Sequence, residues 1–149
     1  MHKFYYEDFN VGETIELGRH TISQDEIIDF ARKYDPQPFH TDTEAAKDSI
    51  YGGLIASGWH TCAIAMRVMV DSYVSKAASM GSPGMEEIRW LKPVRANDTL
   101  IVSRTVEEAR LTSKPDRGLV LSRTDIYNQR GEHVMMMRGY GLFGRRKAG

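Results

Sequence analysis

One long amphipathic stretch, followed only by strand-like segments, constrains the fold of this chain most. Between about residues 57 and 79, apolar side chains recur at three- and four-residue steps, which predicts an amphipathic helix. At a rise of 1.5 Å per residue the helix would be roughly 30 Å long, about the width of a small domain. The predicted apolar stripe consists of Trp59, Ala63, Met66, Val70, Tyr73 and Ala77.

The rest of the chain after this helix is typical of β-strands. Residues 85–91, 99–109, 118–127 and 133–143 are rich in β-branched, aromatic and long apolar side chains. The turns between them are short, so the strands should pair antiparallel through hairpins. Curling this sheet around the helix would bury the apolar stripe, which predicts an α+β architecture.

The last strand also suggests a homodimer. Met135, Met136 and Met137 are consecutive, so they would place apolar side chains on both faces of the strand. An exposed apolar outer face would require a partner, which a second copy of the chain can provide. Methionine is also a common gap-filler in ordinary cores.

Smaller elements precede the long helix. A strand is predicted at residues 14–22. Two capping boxes, Ser23 with Glu26 and Thr41 with Glu44, each predict the start of a helix.

Composition excludes several classes of protein. The 149 residues suit a single domain, 1–149, and 20 basic residues balance 20 acidic ones, so no nucleic acid or membrane surface is expected as a partner. No apolar signal or spanning segment is recognisable, which predicts a cytoplasmic protein. Cys62, the one cysteine, is expected to be a small core residue. His20, His60 and His133 lack metal-ligand spacing, so no metal is expected.

A short loop ahead of the long helix carries the strongest functional signal. Pro36 and Pro38 cannot continue a helix and push the residues before them, Asp35 and Gln37, toward extended geometry. Asp35 and His40 are five residues apart on this stiff loop. A carboxylate and an imidazole so placed can converge on one water, as general-base catalysis requires. Loops are also commonly rich in Asp and Pro for structural reasons alone.

Five motifs occur in order along nearly the whole chain. They are Tyr6-Glu7-Asp8-Phe9-x-Val11-Gly12, Asp35-x-x-Pro38-x-His40-x-Asp42, Gly58 at the start of the long helix, Trp90-Leu91-Lys92-Pro93-Val94-Arg95-x-x-Asp98-Thr99-Leu100, and Asn128-Gln129-x-Gly131-Glu132. Together they resemble the MaoC-like dehydratase family, which includes the (R)-specific enoyl-CoA hydratases.

The resemblance implies a hotdog fold, assembled as a homodimer or a dimer of dimers, and a hydro-lyase reaction of fatty acid metabolism. Water would be added reversibly across the C2–C3 double bond of a 2-enoyl thioester, carried on coenzyme A or an acyl carrier protein, without a cofactor. Asp35 and His40 would hold the water, with Asp35 as the base. The backbone N–H of Gly58, at a helix N-terminus, would stabilise the enolate-like oxygen, and glycine would let the thioester approach closely.

Four further residues are candidates for substrate binding. Gln37 stands where the family usually has Asn, and Ser57 precedes the glycine where the family usually has His. Ser57 is also expected to be the N-cap of the long helix. Tyr34 and Trp59 are large side chains beside the site, so we expect them to shorten the acyl pocket; alternatively, both rings pack into the core.

Basic residues near the third turn are candidates for contacts with the coenzyme A phosphates. Arg110, Lys114 and Arg117 could bind phosphate as forks and point charges, although charged loops are commonly just solvated.

Two other functions remain open at this point. A hotdog thioesterase would hydrolyse the thioester instead of hydrating the alkene. A non-catalytic acyl-thioester-binding or dimerisation module is compatible with the departures at Tyr34, Gln37 and Ser57.

Overall fold

A computed structural model describes residues 1–147 of the chain. Five strands and four helices follow one another, and all but the short helix at Pro38–Thr41 were expected from the sequence. They are β1 (Thr14–Thr21), α1 (Gln24–Tyr34), α2 (Pro38–Thr41), α3 (Thr43–Lys47), α4 (Gly58–Ser72), β2 (Met85–Trp90), β3 (Thr99–Leu111), β4 (Arg117–Tyr127) and β5 (His133–Gly144), with 3₁₀ turns at Tyr6–Asp8 and Val74–Lys76. The sequence had predicted a loop at α2, but Pro38 at the first position of a helical turn is compatible with helix geometry.

The strands form one antiparallel sheet around α4. The spatial order is β1-β3-β4-β5-β2, so β1 and β2 are its two edges. The inner face of the sheet packs on α4, where Val102, Ile126 and Met135 belong to the same core cluster as Ile64 and Val68. This confirms the predicted α+β arrangement. The assignment of residues 1–149 to a single domain stays a prediction.

The long helix is shorter than predicted, and it buries a different face. Helix α4 ends at Ser72, after which the chain makes a 3₁₀ turn. Trp59, Ala63 and Met66 of the predicted stripe are exposed. The helix is apolar on most sides, so two stripes satisfy the helical spacing and the sequence pattern did not distinguish them. The buried face consists of His60, Thr61, Ile64, Ala65 and Val68.

One of the two predicted capping boxes is misplaced. Ser23 caps α1 by accepting a hydrogen bond from the Glu26 N–H at 3.1 Å, as expected. Helix α3 is capped by Asp42, whose carboxylate accepts from the Glu44 N–H at 2.9 Å, and not by Thr41. Thr41 instead closes the single turn of α2, which begins with a proline at its first position.

The outer face of the sheet is not the apolar surface that the Met run predicted. Met135 and Met137 are both buried in the core. The opposite face carries ion pairs, among them Arg138 with Glu107 at 2.9 Å. Alternation along β5 places only Met136 of the three on the outer face, where it is half-buried, so the run does not by itself make that face an apolar surface.

Within residues 1–147, no helix has both the length and the apolar character that crossing a membrane requires. Cys62 is half-buried and packs against the main core, in agreement with its predicted role.

Candidate active site

The carboxylate of Asp35 is held at the point where α1 ends. Asp35 is the C-cap of α1, and its N–H donates to the Ala31 carbonyl at 2.8 Å. The side chain accepts two hydrogen bonds of 2.7 Å, from Gln37 Nε2 to Oδ1 and from Ser57 Oγ to Oδ2. Two donors therefore fix the orientation of the carboxylate, and Ser57 and Gln37 contact the predicted base directly.

The imidazole of His40 faces the same carboxylate. His40 is 5% exposed, and its Nδ1 lies 2.7 Å from the backbone carbonyl of Ile55. A carbonyl only accepts, so Nδ1 carries the proton. The other nitrogen, Nε2, lies 3.3 Å from Asp35 Oδ2. The structure thus brings together the two side chains that the sequence predicted would converge.

The electrostatics of the pair favour an ionised carboxylate. Partial burial raises the pKa of Asp35, but the hydrogen bonds from Gln37 and Ser57 and the nearby His40 lower it. The net effect is a pKa below the ordinary value of 3.8. At neutral pH Asp35 is therefore an acceptor of hydrogen bonds and of protons.

The N-terminus of α4 adjoins this pair. Ser57 is the N-cap residue by position, as predicted, but its hydroxyl makes no capping bond and donates to Asp35 instead. The first N–H groups of a helix have no intrahelical acceptor and carry the positive end of its dipole. Gly58 is the first residue of α4, so its N–H is one of these donors.

Packing against Trp90 explains why position 58 is a glycine, in addition to the expected approach of a substrate. A Cβ on Gly58 would lie 2.4 Å from Nε1 of Trp90 and 2.5 Å from its Cε2. The indole of Trp90 therefore lies against the Cα of Gly58, and the close approach of a thioester to this glycine stays a prediction. Trp90 was not predicted as a site residue; its only signal in the sequence was its place as the first residue of the motif that runs from Trp90 to Leu100.

A cavity of about 450 Å³ opens over these residues. Asp35, Gln37 and His40 line it on one side, and Gly58 and Trp59 line it on another. Its remaining walls are largely apolar and include Phe39, Ile55, Ala56, Trp90, Val94 and Val134. An apolar cleft with a few convergent polar groups is the usual form of a small-molecule site.

Tyr34 and Trp59 occupy different places relative to this cavity. Their side chains are 72% and 58% exposed, so the alternative that both rings pack into the core is wrong. Trp59 lines the cavity, with its ring edge-on to Trp90 at 5.1 Å between centroids. Tyr34 lies in a neighbouring cleft between α1 and His60 and does not line the Asp35 cavity.

The three basic residues proposed for coenzyme A lie elsewhere. Arg110, Lys114 and Arg117 surround the β3–β4 turn, where Gly118 pairs with Phe143 of β5. Val134, which lines the cavity, precedes Phe143 by nine residues in β5, a distance of roughly 30 Å. Within one protomer these residues do not meet the Asp35 cavity, and their contact with coenzyme A stays a prediction.

The Asp98 motif has a structural role in this fold. The buried Asp98 carboxylate accepts from the Arg95 N–H and from Gln129 Nε2, each at 2.9 Å. It therefore joins the β2–β3 connection to the β4–β5 turn. Within residues 1–147 there is no cluster of three or more His, Cys, Asp or Glu side chains suited to a metal ion.

Comparison with known proteins identifies the family. The sequence model of the MaoC like domain matches residues 8–124. The chain belongs to this family. A MaoC-like dehydratase from Rhodospirillum rubrum is 40% identical, with a TM-score of 0.89 over 97% of this chain and 99% of that one. The uncharacterized protein YdeM of Bacillus subtilis is 29% identical over 127 residues, which cover 83% of this chain and 87% of YdeM.

The fold is shared more widely than the sequence. The R-hydratase PhaJ1 of Pseudomonas aeruginosa is 22% identical, and its structure superimposes with a TM-score of 0.76 over 97% of this chain and 87% of its own. The predicted hotdog fold, a sheet wrapped around a central helix, is confirmed. The family and these neighbours support a hydratase or dehydratase family for this MaoC-like chain.

Proposed function

We propose that this MaoC-like protein is an (R)-specific enoyl-thioester hydratase, which adds or removes water across the C2–C3 double bond of a 2-enoyl-CoA. The observation that carries the proposal is the contact of 3.3 Å between His40 Nε2 and Asp35 Oδ2 at the wall of the cavity. Gly58, the first residue of α4, lines the same cavity.

One water can be oriented by the two side chains together. When His40 is neutral, with its proton on Nδ1, its Nε2 is an acceptor, and the ionised Asp35 accepts as well. A water that donates one hydrogen to each acceptor directs an oxygen lone pair away from them. This water is the nucleophile of the proposed hydration.

The proposed reaction balances with Asp35 as the only group that exchanges a proton. The water oxygen bonds to C3 while Asp35 takes one of its protons, and the π electrons move toward the thioester carbonyl. C2 then takes the proton from Asp35, which returns to its ionised form. Dehydration is the same sequence in reverse.

The start of α4 stabilises the intermediate in this scheme. Negative charge develops on the thioester oxygen, and donors placed in advance lower the barrier because they need no reorganisation. The Gly58 N–H has the partial positive charge of a helix N-terminus. The Ser57 hydroxyl does not compete for these donors, since it is bonded to Asp35.

The lining of the cavity indicates which kind of substrate it can bind. Its apolar walls suit an acyl group, and the acyl thioester is carried on coenzyme A or an acyl carrier protein, with no cofactor required. Trp59 lines the cavity and limits the length of the acyl group, whereas Tyr34 lies outside it.

We also propose that the active form is a homodimer that covers the exposed face of α4 and the edge of β2. Strand β2 pairs only with β5 among the described strands, so its other edge presents free backbone groups. Large exposed apolar side chains adjoin it: Trp59, Met66, Met85, Trp90 and Leu91. Light scattering coupled to gel filtration should give twice the monomer mass of 16.9 kDa, and Met66→Glu should give the monomer. A monomeric wild type would contradict the dimer.

The decisive experiment follows the absorbance of a short 2-enoyl-CoA after addition of the protein, with a thiol reagent in parallel. Loss of absorbance without thiol release, abolished in Asp35→Asn, would support the hydratase. Release of thiol would identify a thioesterase instead. No reaction with any acyl length would leave a binding module.

A further inference from the structure

The carboxylate of Glu26 makes contacts that its position in a capping box does not predict. Its backbone N–H donates to Ser23 Oγ, but its side chain is turned toward two histidines. His20 Nε2 lies 2.8 Å from both carboxylate oxygens, and His60 Nε2 lies 3.8 Å from Oε2. Glu26 therefore lies between strand β1 and helix α4.

His60 is a buried histidine that the proposed reaction does not use. It is 5% exposed, and its ring is stacked on Phe30 with a centroid distance of 4.6 Å and an angle of 6°. Its Nδ1 is buried and has no hydrogen-bond partner. The cleft beside the ring is lined by further charged and titratable groups of α1, which are Asp25, Glu26, Asp29, Lys33 and Tyr34.

The stack connects the two helices that carry the candidate site. Phe30 and Glu26 belong to α1, whose C-cap is Asp35. His60 is the third residue of α4, whose first residue is Gly58. A shift of His60 against Phe30 would therefore change the distance between the base and the N–H groups that face the substrate.

We propose that His60 is a positioning residue: its ring, packed between Phe30 and Glu26, sets the separation of Asp35 from Gly58, and its protonation loosens that packing. The catalytic part of this proposal rests on the proposed function. The packing part concerns the fold alone and can be measured without substrate.

The effect of protonation follows from where the imidazole lies. Burial lowers the pKa of His60, the Glu26 carboxylate raises it and His20 lowers it, for a net decrease from the ordinary value of 6.5. A positive charge is unfavourable both in a buried site and in the first turn of a helix. The unfolded chain takes up this proton at a higher pH than the folded chain, so stability decreases as the pH falls below 6.5 toward the folded pKa.

Intrinsic fluorescence can report this change independently of catalysis. The protein has two tryptophans, and both report on the start of α4: Trp59 is its second residue, and Trp90 lies against Gly58. Between pH 8 and pH 5 the wild type should show a fluorescence transition with a midpoint below 6.5. His60→Phe, which keeps a flat ring against Phe30, should abolish it. His20→Asn should move the midpoint to higher pH and Glu26→Gln to lower pH.

The same variants distinguish a positioning role of His60 from a contribution to stability alone. At pH 8, His60→Ala should lower kcat about tenfold with KM within about twofold, because catalysis is more sensitive to misplacement than binding is. His60→Phe should restore most of the lost kcat. A transition that persists in His60→Phe, or a His60→Ala variant with unchanged kcat, would overturn the proposal. A wild type that shows the transition but no hydration would refute the proposed function and leave the packing role intact.

Discussion

The Ser57 hydroxyl donates to Oδ2 of Asp35 over 2.7 Å, across 22 positions of sequence. Ser57→Ala removes one of two donors that lower the pKa of Asp35, so this pKa should rise. We expect kcat to fall about tenfold to a hundredfold, the range typical of one lost hydrogen bond to a charged group at a reacting centre. Ser57→Thr keeps a hydroxyl and is the matched control. Equal activity of Ser57→Ala and wild type in a steady-state hydration assay would show that the contact has no catalytic role.

Asp35 should also shape the acid stability of the protein. Its folded pKa is lowered below 3.8, so its ionised form contributes stability above that pH, and the contribution is lost as the pH falls through the folded pKa. Asp35→Asn should therefore make the free energy of unfolding less steep below about pH 4. Urea titrations at a series of pH values would measure this, with the exposed Asp71→Asn as the control. Parallel curves for the wild type and Asp35→Asn would contradict the lowered pKa.

Gly58 and Trp90 should be coupled in stability. Gly58→Ala places a methyl group where the Trp90 indole lies, and overpacking of this kind typically costs about 1–3 kcal/mol. Replacing the indole in Gly58→Ala/Trp90→Leu should recover much of that cost, a non-additive result that thermal or urea unfolding would detect. Additive losses in the double variant would mean that the two residues are not in contact.

Trp59 should control the acyl-length preference. Trp59→Ala enlarges the cavity at an exposed position, so we expect little change in melting temperature and a shift of kcat/KM toward longer acyl groups. Tyr34→Ala is the matched control, because this ring is also exposed but lies outside the cavity. The same length profile for Trp59→Ala and the wild type would exclude Trp59 as a limit on acyl length.

The parts of the site that could be predicted from the sequence are those where nearby residues restrict the backbone. Pro36 and Pro38 restrict the backbone directly, so the convergence of Asp35 and His40 could be inferred from spacing. The hydrogen bond from Ser57 to Asp35 could not, because it joins segments whose approach depends on the whole fold.

The same distinction applies to the fold. Strand positions followed from alternation, and the β3–β4 and β4–β5 hairpins predicted from short turns are confirmed. The hairpin predicted between β2 and β3 was wrong, because β2 lies at the far edge of the sheet and pairs with β5. The buried face of α4 did not follow, since an apolar residue such as Met66 fits either face until tertiary packing selects one. The sequence predicts only a capping role for Glu26. Its contacts with His20 of β1 and His60 of α4 could not be predicted, because they are not local in sequence.

The indole that lies against Gly58 belongs to an edge strand, so in the proposed dimer the rate of the proposed reaction should depend on protein concentration. Trp90 ends β2, the strand proposed to meet a second copy of the chain. If β2 changes position when the dimer dissociates, the indole of Trp90 moves with it and no longer packs against Gly58. Specific activity would then decrease on dilution below the dimer dissociation constant and recover on concentration, so that subunit association and turnover would be thermodynamically linked.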